Sequence, residues 1–381
     1  MKCRVFLFFY FAFCITVSGQ ININGSSSNA ITTAVPFLTV IPDARSGALG
    51  DAGVAISADA NAVYANPAKL AFSELNTAFS LSYSPWLRNF GKDMNLAYAS
   101  FTHKINDRNA FGVALNYFNM GSVDLFDANA NALGKYTPSD FSFETAFSRR
   151  LGEKFALGIS LKYIHSGLAP SFVDGQQLQS VNAIATGVSL YHTSKVTQFG
   201  KDAIFSFGAN LSNIGTKISY SETGKTSFMP TNLKVGAANS WLLDDKSMLT
   251  LTLDLNKLLV PTPPLRDVDG TIISGKDDDV SMVSGMFRSF NDAPGGFKEE
   301  LKEISYSTGL EFWYDKQFAL RAGYFYESPD KGNRQYATLG AGFKYSMVEF
   351  NFAYIAANQN KSPLANTLRF SLLFNLDVSK N

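Results

Sequence analysis

Cysteine is nearly missing from this 381-residue chain: there are two, Cys3 and Cys14. Both fall within residues 1–19, which read as a secretory signal peptide. Lys2 and Arg4 make a basic start, Val5 to Val17 is an almost unbroken apolar run, and Val17-Ser18-Gly19 offers small residues for cleavage before Gln20. The mature chain then has no cysteine, which excludes a disulfide framework and thiol chemistry. An excess of one charge sign is also missing. Without Lys2 and Arg4 there are 31 basic residues against 32 acidic ones, a formal charge of −1, so nothing calls for a nucleic-acid partner. His103, His165 and His192 stand alone, without metal-ligand spacing. After residue 20 no apolar run reaches the length of about 18 residues that a membrane-crossing helix needs.

Aromatic residues are plentiful, at 14% of the chain with 33 Phe and 16 Tyr, and so is alternation. In residues 249–256, Leu249, Leu251, Leu253 and Leu255 fall on one face of a strand, and Thr250, Thr252, Asp254 and Asn256 on the other. Similar segments recur over 75–85, 93–103, 109–120, 139–150, 153–166, 180–192, 202–213, 230–241, 247–258, 303–314, 316–327, 334–345, 347–357 and 365–377. The second, sixth and eighth alternate poorly and are included for length and turn spacing. Each has about the length that crosses a bilayer as a tilted strand. Only helices and closed barrels satisfy every backbone polar group in hydrocarbon. The expected fold is therefore all-β, a 14-stranded antiparallel transmembrane β-barrel over residues 75–381. A secreted sandwich or propeller would also alternate, but the chain has no repeat period and no blade signature.

The connections alternate in length. Tight ones, such as Asn106-Asp107-Arg108 and Asp315-Lys316, interleave with longer ones at 121–138, 167–179, 214–229 and 259–302. Short periplasmic turns and long outer loops are the outer-membrane arrangement, and an even strand count puts both termini in the periplasm. Tyr83, Trp86, Tyr117, Tyr163, Tyr191, Trp241, Trp313, Tyr326 and Tyr345 lie near strand ends, where girdles at the membrane–water interface are expected. Residues 20–29, rich in Asn and Ser, read as disordered. Residues 30–74 lack the strand rhythm. They are rich in Ala and Gly, turn at Asn66-Pro67-Ala68, and suit a compact plug inserted into the lumen from the periplasmic side.

Little in the sequence suggests chemistry. No nucleophile elbow is present, and Asp277-Asp278-Asp279 lacks EF-hand spacing, reading as a solvated acidic loop. No enzyme activity, metal or cofactor is expected. The inward strand positions carry Glu144, Lys162, Asp254, Glu311, Arg321, Lys344, Glu349 and Arg369. Balanced signs favour ion pairs that fill the lumen and hold the plug over a single-sign selectivity ring. In the loop 259–302, Val283, Met286, Phe287 and Phe290 recur at near-helical spacing, and a second helical stretch resumes at Phe297. Apolar residues in an outer loop mark it as a candidate partner-binding surface.

Four segments carry a family resemblance: Ile31-Thr32-Thr33-Ala34-Val35-Pro36-Phe37-Leu38, the stretch from Pro42 to Gly53, Asn66-Pro67-Ala68-Lys69-Leu70, and the stretch from Ser289 to Leu301. With a hatch-like segment before about fourteen strands, the chain resembles the FadL-like outer-membrane barrels. Within them it is similar to the PorV (LptO) family of the Bacteroidetes type IX secretion system. The resemblance implies a bacterial outer-membrane protein, embedded in lipid, that binds the type IX translocon barrel and receives exported cargo through its C-terminal signal domain. It would then deliver cargo to the surface attachment complex with its sortase-like peptidase. FadL-like barrels also carry hydrophobic small molecules, the alternative function. The chain ends Val378-Ser379-Lys380-Asn381 rather than on an aromatic, which would shift the assembly signal to Phe374 and its neighbours.

Overall fold

A computed structural model describes residues 29–86, 93–126, 132–167, 172–173, 176–177, 179–221, 226–357 and 366–377. The expected signal peptide at 1–19, residues 20–28 of the segment expected to be disordered and the final four residues lie outside them. Strands β1 (Thr77–Pro85), β2 (Asn95–Lys104) and β3 (Asn109–Asn119) are followed by a small loop hairpin, β4 (Val123–Phe126) and β5 (Ala132–Tyr136). Next come β6 (Ser139–Arg150), β7 (Phe155–Gly167), the short pair β8 (Phe172–Val173) and β9 (Gln176–Gln177), β10 (Val181–Gln198), β11 (Lys201–Gly215), β12 (Asn232–Leu242) and β13 (Ser247–Leu258). The long loop holds a hairpin, β14 (Leu265–Arg266) and β15 (Ile272–Ser274). The chain closes with β16 (Ser305–Tyr314), β17 (Phe318–Tyr326), β18 (Gln335–Tyr345), β19 (Val348–Ala357) and β20 (Thr367–Asn375).

Fourteen of these strands close into one antiparallel barrel, with β1 paired to β20 from Ala78↔Asn375 to Tyr83↔Phe370. Closure removes every sheet edge from lipid. The alternation sets the faces. Along β13, Leu251, Leu253 and Leu255 are exposed by 43%, 48% and 39%, whereas Thr250, Thr252 and Asp254 are buried. Outward threonines would leave hydroxyls in hydrocarbon, and three satisfy them on the neighbouring strand. Thr145 Oγ1 donates to the Leu161 carbonyl, Thr186 Oγ1 to that of Ile214 and Thr308 Oγ1 to that of Thr252. The second strand alternates as regularly as the others. Its outward Ala97 and Ala99 are small, and its inward Leu96 and Tyr98 are apolar because the lumen they face is filled.

Two expectations need correcting. Strand β10 runs to Gln198, six residues past the expected end. Residues 193–198 are mostly polar because β10 pairs with β7 only as far as His192, so the hairpin projects beyond its neighbour into water. Trp86, Tyr191 and Trp313 are not girdle residues. Trp86 and Tyr191 are buried on the inner side, and the guanidinium of Arg369 lies over Trp86 as that of Arg321 lies over Trp313. A filled lumen buries aromatics as readily as lipid does. The described lumenal segment spans the barrel from end to end. Asp377 accepts the amides of Asn76 and Thr77 at the short-turn rim. Asn29 donates to the Pro263 carbonyl and to Glu299 in the long loop, so the segment reaches the long-loop mouth.

Lipid exposure gives a direct test of the faces. Leu253→Arg, in mid-strand, should lower stability by about 2–4 kcal/mol, and Val348→Arg, at the first residue of β19, by about 0–1 kcal/mol. Denaturant titration of refolding into liposomes reads both, and equal losses would mean the membrane band is misplaced.

Candidate docking surface and lumenal plug

The lumenal segment is mostly irregular, with 3-10 turns at Pro36–Thr39 and Pro67–Phe72 and the short helices α1 (Ala44–Ala48) and α2 (Ala62–Ala65). Asp43 starts α1 by accepting the Ser46 amide at 2.7 Å, an N-cap. Helix α1 then presents Arg45 to the wall. Its Nε and one terminal nitrogen grip both oxygens of Glu311 at 2.9 and 2.8 Å, while its other terminal nitrogen reaches Asp59 at 3.1 Å. Arg321 joins Glu311 at 2.7 Å and passes on to Asn351. After α1 the chain turns through Gly50 and Asp51, both with positive φ. Gly50 is required there, since a Cβ would run into the Tyr324 backbone. Asp51 meets Arg369 at 2.5 Å and the Tyr336 hydroxyl at 2.6 Å. The amides of Gly53 and Val54 both donate to Asp254 at 2.7 and 2.9 Å.

The Asn66-Pro67-Ala68 turn is fastened in the same way. Asn66 donates to the carbonyls of Val54 and Leu190 and accepts the Ala68 amide. Ser148 Oγ donates to the Ala68 carbonyl, and Lys69 Nζ reaches the Gly53 carbonyl at 2.6 Å. The wall facing the plug is small and polar so that backbone can meet backbone. At Gly208 any Cβ would collide with the Val54 carbonyl. Of the inward charges named from sequence, Glu311, Arg321, Arg369 and Asp254 bond to the plug or support those that do, whereas Glu144 pairs with Lys162 on the wall, 3.3 Å apart. Glu349, on β19, accepts the side-chain amide of Asn351. Lys344 makes no side-chain bond to the plug among the described contacts.

At the long-loop mouth, α3 (Met282–Arg288) carries Val283, Met286 and Phe287, and Phe290 follows it. Phe287 is 75% exposed, Val283 and Phe290 are exposed, and Met286 is half-buried. A second helix, α4 (Phe297–Lys302), adds Phe297, also 75% exposed, and Leu301. The i, i+4 spacing of those two within the second helical stretch was the signal available for finding them. Asp278 and Asp279 pair with Arg266 and Lys217. Among the described residues no group of three or more acidic or histidine side chains is placed to hold a metal.

Helix α4 is pinned to the rim by carboxylates. Lys257 meets Glu300 at 3.1 Å and Glu303 at 2.6 Å, and Lys331 meets Glu299 at 2.6 Å and Glu303 at 3.0 Å. Thr262 donates to Glu303, and the Ala293 amide to Glu300. Despite partial burial, the Lys331 bond and the Gly295 amide hold Glu299 below its usual range. Asp292 goes the other way: burial, with Glu300 and Glu303 nearby, lifts it from 3.8 to about 6.

Beneath the mouth lies a chamber of about 460 Å³, lined by Lys162, Asn210, Asn232, Lys234 and Ser307 and roofed by residues 30–33 and Pro36.

A family model described as "Type IX secretion system protein PorV" matches residues 23–265. Among solved structures, a TodX deltaS2S3 mutant monoaromatic hydrocarbon channel aligns over 88% of this chain and 99% of its own, at 13% identity and TM-score 0.52. The P. putida toluene transporter TodX aligns over 87% and 98%, at 10% identity and TM-score 0.50. A Pseudomonas aeruginosa FadL homologue aligns over 88% and 98%, at 13% identity and TM-score 0.41. At these identities the likeness to TodX is one of fold alone. No curated protein matches the chain.

Two outcomes follow. Removing one member of a buried pair strands its partner, at about 3–5 kcal/mol, so Arg45→Ala with Asp51→Ala should loosen the plug and raise conductance in planar bilayers. Parental conductance would show that these pairs do not hold it. For Asp292, the folded loop keeps a proton that the unfolded loop releases above 3.8, so local stability falls as pH rises from about 4 to about 6. Amide exchange in α3 and α4 should therefore quicken across that window, and Asp292→Asn should abolish the pH step.

Proposed function

The chain belongs to the PorV family of outer-membrane type IX secretion system proteins, and from that premise we propose that it is an adaptor whose long-loop face binds protein. The partners are the translocon barrel and the C-terminal signal domain of exported cargo. Cargo is then passed to the surface attachment complex with its sortase-like peptidase. In this reading the long loops face outward from the cell and the short turns face the periplasm. The supporting observation is the exposed apolar group Val283, Phe287, Phe290, Phe297 and Leu301 on and beside two helices, the second of which is pinned by its carboxylates. Large aromatics held on a fixed platform form an interface core at low ordering cost. Met286, half-buried at the base of the group, supplies an adaptable contact.

The other reading is transport of hydrophobic small molecules, as the printed name of the toluene transporter TodX says of that protein. A hydrocarbon route calls for an apolar lumen. Here the chamber mixes Lys162, Asn210 and Ser307 with Leu38, Tyr64, Leu258 and Phe325, and the segment beneath it is fastened by buried ion pairs. The fastened segment favours the adaptor.

Changing Met286, Phe287 and Phe290 together to Ser should leave the barrel assembled, because all three lie beyond the strands. Binding to the translocon barrel or to the cargo signal domain should fall at least tenfold, a factor worth about 1.4 kcal/mol, with cargo accumulating inside the cell. Pull-down from native membranes and secretion assays read both, and wild-type results in each would move the docking surface elsewhere.

A further inference from the structure

Residues 29–41 differ from the rest of the lumenal segment in what holds them. From Asp43 onward the segment is bonded to strands: Glu311, Arg369, Asp254, Ser189 and Ser148. Before it, the polar partners are mostly loops. Asn29 Nδ2 donates to the Pro263 carbonyl and to Glu299 Oε1, both at 3.1 Å. The Ala34 amide donates to the Phe228 carbonyl at 2.9 Å. Phe228 is itself packed under α3: a Cβ on Gly285 would come within 2.8 Å of its ring and 3.0 Å of Pro261. The stretch is thus tied to α3 through Phe228 and to α4 through Glu299.

Val35 adds an independent observation. It sits at φ 42° and ψ 54°, in the left-handed region, and is 1% exposed. A β-branched residue is a true outlier there, because its Cβ crowds the following carbonyl. Such strain persists only where surrounding contacts over-determine it, and it marks elements that have a second arrangement. The contacts around Val35 are the Ala34–Phe228 bond, the turn that starts at Pro36 and an apolar cluster that includes Ile164, Ala183 and Ala185 of the wall; of these, the Phe228 bond is the one that the loop can withdraw.

We propose that residues 29–41 are a strained strap, latched by the long loop and closing the lumenal chamber. When α3 and α4 are drawn off the rim, the Glu299 and Phe228 contacts go with them. Val35 then relaxes to an ordinary backbone conformation, and the chamber opens to the long-loop side. The segment from Asp43 to Phe72 stays fastened and the barrel stays plugged. That a protein partner is what draws the loop away rests on the adaptor reading; the latch itself does not.

The mature chain has no cysteine, so one reporter serves. Ser307, 2% exposed, lines the chamber, and Ser307→Cys is probed with a polyethylene-glycol maleimide on the isolated mature protein in lipid. Glu299→Ala removes a charge-assisted bond to the strap and should speed labelling roughly tenfold. Val35→Gly removes the strain while keeping the turn, and should slow it. Ala34 amide exchange, followed without the cysteine, should move the same two ways and serves if the reporter variant fails to assemble. Labelling and exchange that stay within twofold of the parent in both variants would overturn the strap. No partner is present in this experiment, so its failure leaves the docking face standing, and a failed pull-down of the Met286, Phe287 and Phe290 variant leaves the strap standing.

Discussion

Glu311 sets the terms for this molecule. A carboxylate on the inner wall of a membrane barrel, almost without solvent, is tolerable only if cations meet it, and two do: Arg321 from the neighbouring strand and Arg45 from the lumenal segment. Removing the segment would strand Glu311 with half its partners and leave Arg369 without Asp51. The wall is adapted to the occupant it needs. Glycine at 208 and serine at 148 and 189 let plug backbone reach wall backbone, where larger residues would hold it off. The outward face answers only to lipid and carries Leu, Phe and Tyr wherever the pleat allows. One chain thus contains two incompatible surfaces on alternate residues.

That division explains what was legible in the sequence. The alternation in 139–150 and 247–258 gave strand bounds that the structure repeats residue for residue, because one side meets hydrocarbon and the other a polar filling. The stretch from Pro42 to Gly53 stood out by composition, but the partner of each residue did not. Arg45 and Glu311 are 266 positions apart, and no local pattern encodes that pairing. Trp86, Tyr191 and Trp313 misled for a related reason. An aromatic near a strand end is placed at the interface by default, yet here cations inside the barrel supply partners for the rings of Trp86 and Trp313.

At the mouth, legibility was uneven in another way. Helical spacing located α3 and its apolar residues, since an amphipathic pattern is local. The route of residues 29–41 was not legible, because it depends on contacts with loops far along the chain. The carboxylates of α4 carry no local sign of their partners. Only the fold shows that Glu299, Glu300 and Glu303 find Lys257 and Lys331 and turn a loop into a platform.

The route of the chain has a consequence for assembly. Asn29 sits at one mouth and Thr77 begins the first strand at the other, so the polypeptide runs the length of the lumen before the wall begins. A finished barrel could admit that thread only by pulling a free end through a space already filled. The seam between β1 and β20 is therefore the natural last step, sealed around a segment already in place. The same topology makes departure slow: even with every ion pair broken, the thread leaves only by reptation or by reopening the seam. Persistence of the occupied barrel then becomes a matter of kinetics as much as of equilibrium.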